Sequence, residues 1–414
     1  MNLIHHIKIG ISLAFILVAA NSFATQTIIL SKDSQAEDYF GYSVAIDGNT
    51  LLVGAHKVDI ADEKDAGAAY VYVLGDNGWH QQAKLVAEPF FVGDTLGGNV
   101  ALKSDMAMLG AMRRDDKGKD SGAVISFVRQ SNNWQQKQII TAPDAKQGDA
   151  FGQSISLTEN YLVIGAPRKD ALGEDSGAAY IYKREDDVWH YQTKIIANDG
   201  KKGDLFGISV AIDGNTILVG ADLHDEKAEN AGAVYVYVLD KGAWEQEAKL
   251  VASDAGKTDI FGVRVALSNN TALISARRDD IDGVGVDAGS AYIFERKGRT
   301  WTQKIKLTSP DGEADDRFGR GVALSADRAI ISAMNHDSNG TNTGAMYVYE
   351  KAADGWKYTS KITAKVSFPN DRFGWNVGLS ENMAVISSPN FNGSGMYSGA
   401  VFVQDLNNIR VSNK

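Results

Sequence analysis

The sequence predicts an all-β fold, a seven-bladed β-propeller of four-stranded antiparallel blades. Three observations carry this: a motif that recurs seven times at a nearly constant step, four strand patterns inside each step, and a last unit that lacks its fourth strand. Self-similarity at a fixed period of this size is the mark of a repeat architecture, whose length grows by whole units rather than by separate domains.

The recurring motif is Asp38-Tyr39-Phe40-Gly41, followed by Asp94-Thr95-Leu96-Gly97, Asp149-Ala150-Phe151-Gly152 and Asp204-Leu205-Phe206-Gly207. Asp259-Ile260-Phe261-Gly262, Asp316-Arg317-Phe318-Gly319 and Asp371-Arg372-Phe373-Gly374 complete the set. Within the first unit, Tyr42–Ile46 reads as a short strand, and Asp47-Gly48-Asn49 is a tight hairpin turn. Leu51–Ala55 is a second strand. A polar loop leads to Ala69–Val73, a third strand that alternates with period two. The turn Gly75 to Gly78 then precedes Trp79 and a fourth strand near Ala83–Val86. Six tryptophans, Trp79, Trp134, Trp189, Trp244, Trp301 and Trp356, mark the fourth strands, and the seventh equivalent position is Phe23. Four strands repeated seven times, with no segment of helical periodicity, is a propeller pattern. High glycine (42) and scarce proline (6) fit many strands joined by tight turns.

Ring closure is legible at the two ends. The seventh unit stops after its third strand, Ala400–Val403, while Thr27–Leu30 precedes Asp38 at the spacing that Lys249–Val251 keeps before Asp259. The N-terminal strand is therefore expected to complete the last blade, which removes the open edges of the array. The organisation read from the chain is residues 1–24 as a signal peptide, 25–405 as the propeller and 406–414 as a polar tail. Met1 to Lys8 carries one lysine and no acid, Ile9 to Ala20 is apolar except for Ser12, and Ser22-Phe23-Ala24 supplies a small-residue cleavage pattern. A dozen apolar residues are short for a bilayer, so no membrane span is expected. The location implied is exported: periplasmic, cell-surface or extracellular.

Charge and cysteine content narrow the functions. Net charge is −10, and removing residues 1–24 takes away Lys8 alone among the charged residues. Nucleic acid and anionic membranes want a basic footprint and are not expected partners. The chain has no cysteine, which excludes disulfides, thiol catalysis and cysteine-ligated zinc. The histidines outside residues 1–24, His56, His80, His190, His224 and His336, form no His-x-x-x-His pair, and no nucleophile elbow is present.

The Phe-Gly at each unit's start, together with Gly54-Ala55-His56, Gly110-Ala111-Met112, Gly165-Ala166-Pro167 and Gly220-Ala221-Asp222, resembles the FG-GAP repeat of integrin α-chain propellers. The later units carry Ser275-Ala276-Arg277, Ser332-Ala333-Met334 and Ser387-Ser388-Pro389 in place of that triplet. The resemblance spans residues 27–404 and implies a binding module rather than an enzyme. It also implies calcium in Asp-x-Asp-x-Asp-Gly hairpins between first and second strands, but those links are short here (Asp47-Gly48-Asn49, Asp213-Gly214-Asn215), so that site is not carried over. The candidate calcium ligands are instead Asp280, Asp282 and Asp287 in one long loop, a weak site with fewer carboxylates than a high-affinity cage. No cofactor is required.

The seven motif aspartates are expected to fix turns by accepting backbone N–H bonds rather than to bind ligand. Strand alternation places the tight hairpins on one face and the long loops on the other. Binding residues concentrate on such loops. Arg113, Arg114, Arg168, Arg277 and Arg278 are the ligand-face candidates, and the expected partner is a protein or a glycan, with the chain a monomer. The competing reading is a propeller hydrolase or lyase acting on an extracellular polysaccharide, whose two carboxylates the sequence does not locate.

Overall fold

The computed structural model describes residues 26–407. The chain forms seven four-stranded antiparallel sheets and no helix among the described residues. Strand β1 (Gln26–Ile29) comes first in the chain, and β2 (Ser43–Asp47), β3 (Thr50–Ala55), β4 (Ala68–Gly75) and β5 (Gly78–Leu85) make the first blade in simple sequential order. The next five blades repeat this up-and-down order. The seventh has its three strands within Val377–Asp405 and takes β1 as the fourth, paired antiparallel with Ile28 opposite Phe402. Closure by the N-terminal strand is thus as expected. The expected signal peptide lies outside the described residues. The expected polar tail begins one residue too early, because Leu406 is buried in the seventh blade and its N–H donates to Asn382 O.

The second strand of every blade is the most buried because it has a neighbour on both edges and a blade on both faces. All six residues of β3 are buried, as are all six of Thr216–Ala221 and Thr271–Ala276. Between blades, the motif phenylalanine stands edge-on to a tyrosine of the third strand. Centroids are 5.4 Å apart for Phe40/Tyr70, Phe151/Tyr180, Phe206/Tyr235 and Phe261/Tyr292. Such edge-to-face pairs add to the area term about 0.5–1.5 kcal/mol each.

The motif also ties blade to blade through the backbone. The N–H of Phe151, Phe206 and Phe261 donates to the carbonyls of Ser121, Ser176 and Ala231 in the preceding loop. The glycine after each of those carbonyl residues must lie against the phenylalanine. A Cβ on Gly177 would come 2.1 Å from Phe206 O, and its φ of +85° is one that side chains avoid. The invariant glycines are therefore contact points between blades, and this brings all long loops to one face around the axis.

Candidate functional site

Each motif aspartate closes a turn. A carboxylate oxygen accepts the backbone N–H three residues earlier, from Gln35 to Asp38 at 2.7 Å, Lys146 to Asp149 at 2.7 Å and Phe368 to Asp371 at 2.6 Å, for example. The structural reading of these residues holds. Twenty residues further on, four blades supply a cationic or imidazole partner: Arg114 to Asp94 (2.7 Å), Lys169 to Asp149 (2.9 Å), His336 to Asp316 (2.8 Å) and His224 near Asp204 (3.9 Å). Blades five and seven place Asp279 and Phe391 there instead. Burial pushes the carboxyls of Asp259 and Asp371 up to about 6, in Asp259 with the charge of Asp279 adding to it.

A second repeated device was not legible in the sequence. An aspartate after the fourth strand of four blades accepts from a tyrosine and a lysine of the next blade: Asp144 from Tyr180 and Lys194, Asp199 from Tyr235 and Lys249, Asp254 from Tyr292 and Lys306, Asp311 from Tyr347 and Lys361. The spacing of about one unit between partners hides it, since only the folded ring brings position 144 beside position 194. Burial, opposed and outweighed by the lysine and tyrosine bonds, leaves Asp199 and Asp311 held down to about 2.

The metal candidates do not converge. Asp280 accepts the N–H of Asp287 (2.9 Å), and the equivalent loops use Asp115 for Asp120, Asp170 for Asp175 and Asp337 for Asn342 in the same way. Asp280 is thus one copy of a loop clamp, while Asp282 is exposed and Asp287 faces Arg317 at 3.9 Å. The first-to-second strand hairpins do not fit calcium either, because Asp47 is engaged by Lys103 and the N–H of Ser104 in the next blade. Among the described residues, the trio whose ligand atoms lie within 4.8 Å of one another is Asp199, His224 and Glu226. The Lys249 ammonium contacts all three, so a cation already sits among them.

On the long-loop face the five arginine candidates separate. Arg113, Arg168 and Arg278 are exposed, and Arg277 is half-buried beside the axis. Arg114 is not on the surface: it is 1% exposed, ion-paired to Asp94 and Asp116 and bonded to Pro89 O. A sequence run of Arg113 and Arg114 gives no sign that alternate residues face opposite ways.

The structure adds residues that sequence reasoning missed. The positions following the motif glycines ring the axial mouth, and three adjacent blades fill them with Arg320, Trp375 and Tyr42. The Arg320 guanidinium lies 4.0 Å from the Trp375 ring centroid, Tyr42 is 5.6 Å from Trp375, and His56 is 3.9 Å from Tyr42. Tyr42, Trp375, Tyr39, Tyr397 and Arg372 line a recess of about 460 Å³ between the last and first blades. Burial, with Lys57 and Arg113 nearby, drives His56 down to about 3, so its imidazole is neutral. Burial and the neighbouring Arg264 and Arg278 bring Arg277 down to about 10.

These features can be set beside known proteins. Among solved structures, one described as the crystal structure of a mitotic checkpoint complex aligns with 97% of this chain and 98% of its own at a TM-score of 0.55 and 11% identity. A Bacteroides uniformis protein assigned as a 6-phosphogluconolactonase aligns with 79% of this chain and 86% of its own at 0.52 and 11%. These likenesses concern the fold alone. In sequence, integrin alpha-6 of Homo sapiens is 29% identical over 212 residues, 46% of this chain and 18% of the integrin. Integrin alpha-6 of Gallus gallus is 25% identical over 263 residues, 58% of this chain and 23% of the integrin. The chain thus matches under a quarter of the length of these relatives. The FG-GAP repeat profile matches seven times, at residues 23–72, 79–127, 134–182, 189–237, 244–294, 301–349 and 356–404, and the chain belongs to the FG-GAP repeat family.

Proposed function

We propose that this protein is an exported, non-catalytic binding module whose ligand, a protein or a glycan, docks on the long-loop face at the axial mouth. The observation that carries the reading is the recess of Tyr39, Tyr42, Trp375 and Tyr397, aromatic faces left half-exposed beside Arg372. A concave site with aromatic walls and a few convergent polar groups is the form binding pockets take. Export rests on the apolar segment Ile9 to Ala20 and the Ser22-Phe23-Ala24 pattern. Among the described residues no helix is long and apolar enough to cross a membrane.

The hydrolase reading draws less support. A glycosidase needs a pair of carboxylates facing one cavity. The buried carboxylates of the described residues are those of the seven motif aspartates, which clamp turns, with Asp279, which is held by Tyr292 and Lys306, Glu247, which is held by Arg296 and Trp301, and Asp222. Asp222 stands among arginines rather than beside a second carboxylate.

The test is retention of the purified protein on glycan and peptide arrays, with the double variant Trp375→Ala/Tyr397→Ala alongside. Retention by the wild type that the variant loses is the expected result. Equal retention by both would move the site elsewhere, and release of reducing ends from a bound polysaccharide would establish the hydrolase.

A further inference from the structure

The guanidinium groups at the axial mouth are not explained by the scaffold. The Nε–H groups of Arg277, Arg320 and Arg372 have no hydrogen-bond partner, and Arg320 is only 7% exposed. Burying a charged donor without a partner is costly, so such a group points to a missing acceptor. The fold does not require arginine at these places. Where blade six has Arg320, the other blades have Tyr42, Gly98, Gln153, Ile208, Val263 and Trp375. Where blade five has Arg277, others have His56, Met112, Pro167, Asp222, Met334 and Pro389.

Arg264 shows how a scaffold position is released for another use. Its counterparts Ser43, Ser154 and Ser209 each donate to the motif glycine of the next blade, at 2.8, 2.8 and 2.6 Å. Arg264 makes no such bond; its Nη1 donates to Val263 O. The carboxylate that acts on Arg264 and Arg277 is Asp222, which burial pushes up to about 6 against their pull. One weakened carboxylate does not balance four guanidinium groups.

Resting on the reading that the long-loop face binds ligand, we propose that the axial mouth recognises an acidic glycan. A uronate carboxylate seats on Arg264, Arg277 and Arg320, the sugar ring packs on the Tyr42–Trp375 wall, and Arg372 receives the next residue of the chain. Guanidinium groups pair with carboxylates through directed N–H donors, which gives Arg277 and Arg320 the acceptor that their Nε–H groups lack. The aromatic wall favours a sugar over an acidic peptide. A pyranose offers a flat face of C–H groups to a ring and hydroxyls to its rim, where Asn370 and Asn390 lie. An aspartate or glutamate side chain would satisfy the arginines and leave the wall bare. The net charge of −10 does not steer a polyanion from a distance, so recognition acts at short range, within the cationic mouth.

Isothermal titration of the protein with tetragalacturonate tests this, using cellotetraose as the neutral arm and hexaglutamate as the peptide arm. The variants are Arg320→Met, which keeps the buried volume apolar, and Arg372→Met, at a half-buried position that a loss of folding would spare. The expected result is binding of tetragalacturonate over both other probes, weakened at least about tenfold by either variant, with thermal melts showing both variants folded. Hexaglutamate binding as tightly as the uronate would overturn the glycan assignment. Cellotetraose binding equally, unmoved by the arginine variants but lost in Trp375→Ala, would overturn the acidic specificity and leave the binding face standing. No binding of any probe would overturn the proposal, and array retention in the preceding test would then decide the face itself.

Discussion

In four of the blades, at the start of the first strand, one hydroxyl serves the same contact from either of two positions. Ser43 lies across from Gly54, Ser154 from Gly165 and Ser209 from Gly220, and in each case the serine reaches the motif glycine carbonyl of the next blade. In blade six the roles are exchanged: Gly321 occupies the first strand and Ser332 the second, and Ser332 Oγ donates to Gly374 O at 2.6 Å. Where Ser154 makes the contact its facing residue must be glycine, because a Cβ on Gly165 would stand 2.3 Å from Ser154 Oγ and 2.0 Å from Gly207 O. Blades five and seven, with Arg264/Ser275 and Asn376/Ser387, carry side chains at both sites and turn the serine onto the facing backbone instead. Ser332→Gly should therefore cost about 1–2 kcal/mol by leaving a buried carbonyl unpaired. Adding Gly321→Ser should restore part of that loss, although Ser332→Gly alone also introduces backbone freedom. Urea melts of the single and double variants read this, and a double variant no more stable than the single would defeat the exchange. The drift from Gly54 to Ser332 is visible in the sequence, but its reason is not. The compensating residue lies eleven positions away across a strand pair, and the contact it preserves belongs to another blade.

The elements were legible wherever local pattern sufficed, and the site was not, because it is assembled across units. Strand β1 is the clearest success: the missing fourth strand of the seventh blade is supplied by Gln26–Ile29, with Ile29 buried against the first blade's core. Gln26 further bonds Thr363 O and the N–H of Lys365 in the sixth blade. Deleting residues 25–32 should leave the strand Ala400–Asp405 as an open edge, lowering the melting temperature and promoting association. Ile29→Ala alone should cost about 2–4 kcal/mol. An unchanged melt and a monomeric deletion variant in size-exclusion chromatography would show that the ring closes without β1. The long loops yield a second expectation. Six are drawn in by an aspartate carboxylate that accepts a backbone N–H, as Asp280 does from Asp287, and the seventh by the carboxamide oxygen of Asn392, so loop order needs no ion. Thermal melts in excess chelator and in millimolar calcium should coincide, for the wild type and for Asp282→Ala alike. Unfolding by chelator would show that a metal holds the fold.

Across the whole molecule, a near-symmetric scaffold carries carboxylates whose surroundings push them in opposite directions, and that sets the pH at which it is most stable. Asp222, Asp259 and Asp371 are each raised by burial to about 6, from an ordinary 3.8. The folded state binds their protons more tightly than the unfolded state. Their contribution is therefore fully present below about 4 and is lost as pH rises through about 6. Asp199 and Asp311, held at about 2 by lysine and tyrosine despite their burial, work the other way. Theirs is present above 3.8 and lost as pH falls toward 2. His56, lowered to about 3, opposes the first group, since the unfolded imidazole takes up a proton between about 6.5 and 3 that the folded one refuses. Three raised carboxylates against one histidine leave a net uptake by the folded state between pH 6 and 4. The melting temperature should accordingly rise as pH is lowered from 7 to about 5, then fall below about 4 as Asp199 and Asp311 lose their ion pairs. Asp371 isolates one contributor, because Phe391 stands where four other blades put an arginine, a lysine or a histidine, and the Oδ1 of Asp371 has no partner. Asp371→Asn should keep the acceptor for the N–H of Phe368 and narrow the difference between the pH 5 and pH 7 melts, while His56→Gln should widen it. Calorimetric scans at half-unit steps from pH 3 to 8 make the comparison. A melting temperature that falls steadily from pH 7 to 5, in the wild type and in both variants, would show that these buried groups do not govern the stability of the ring.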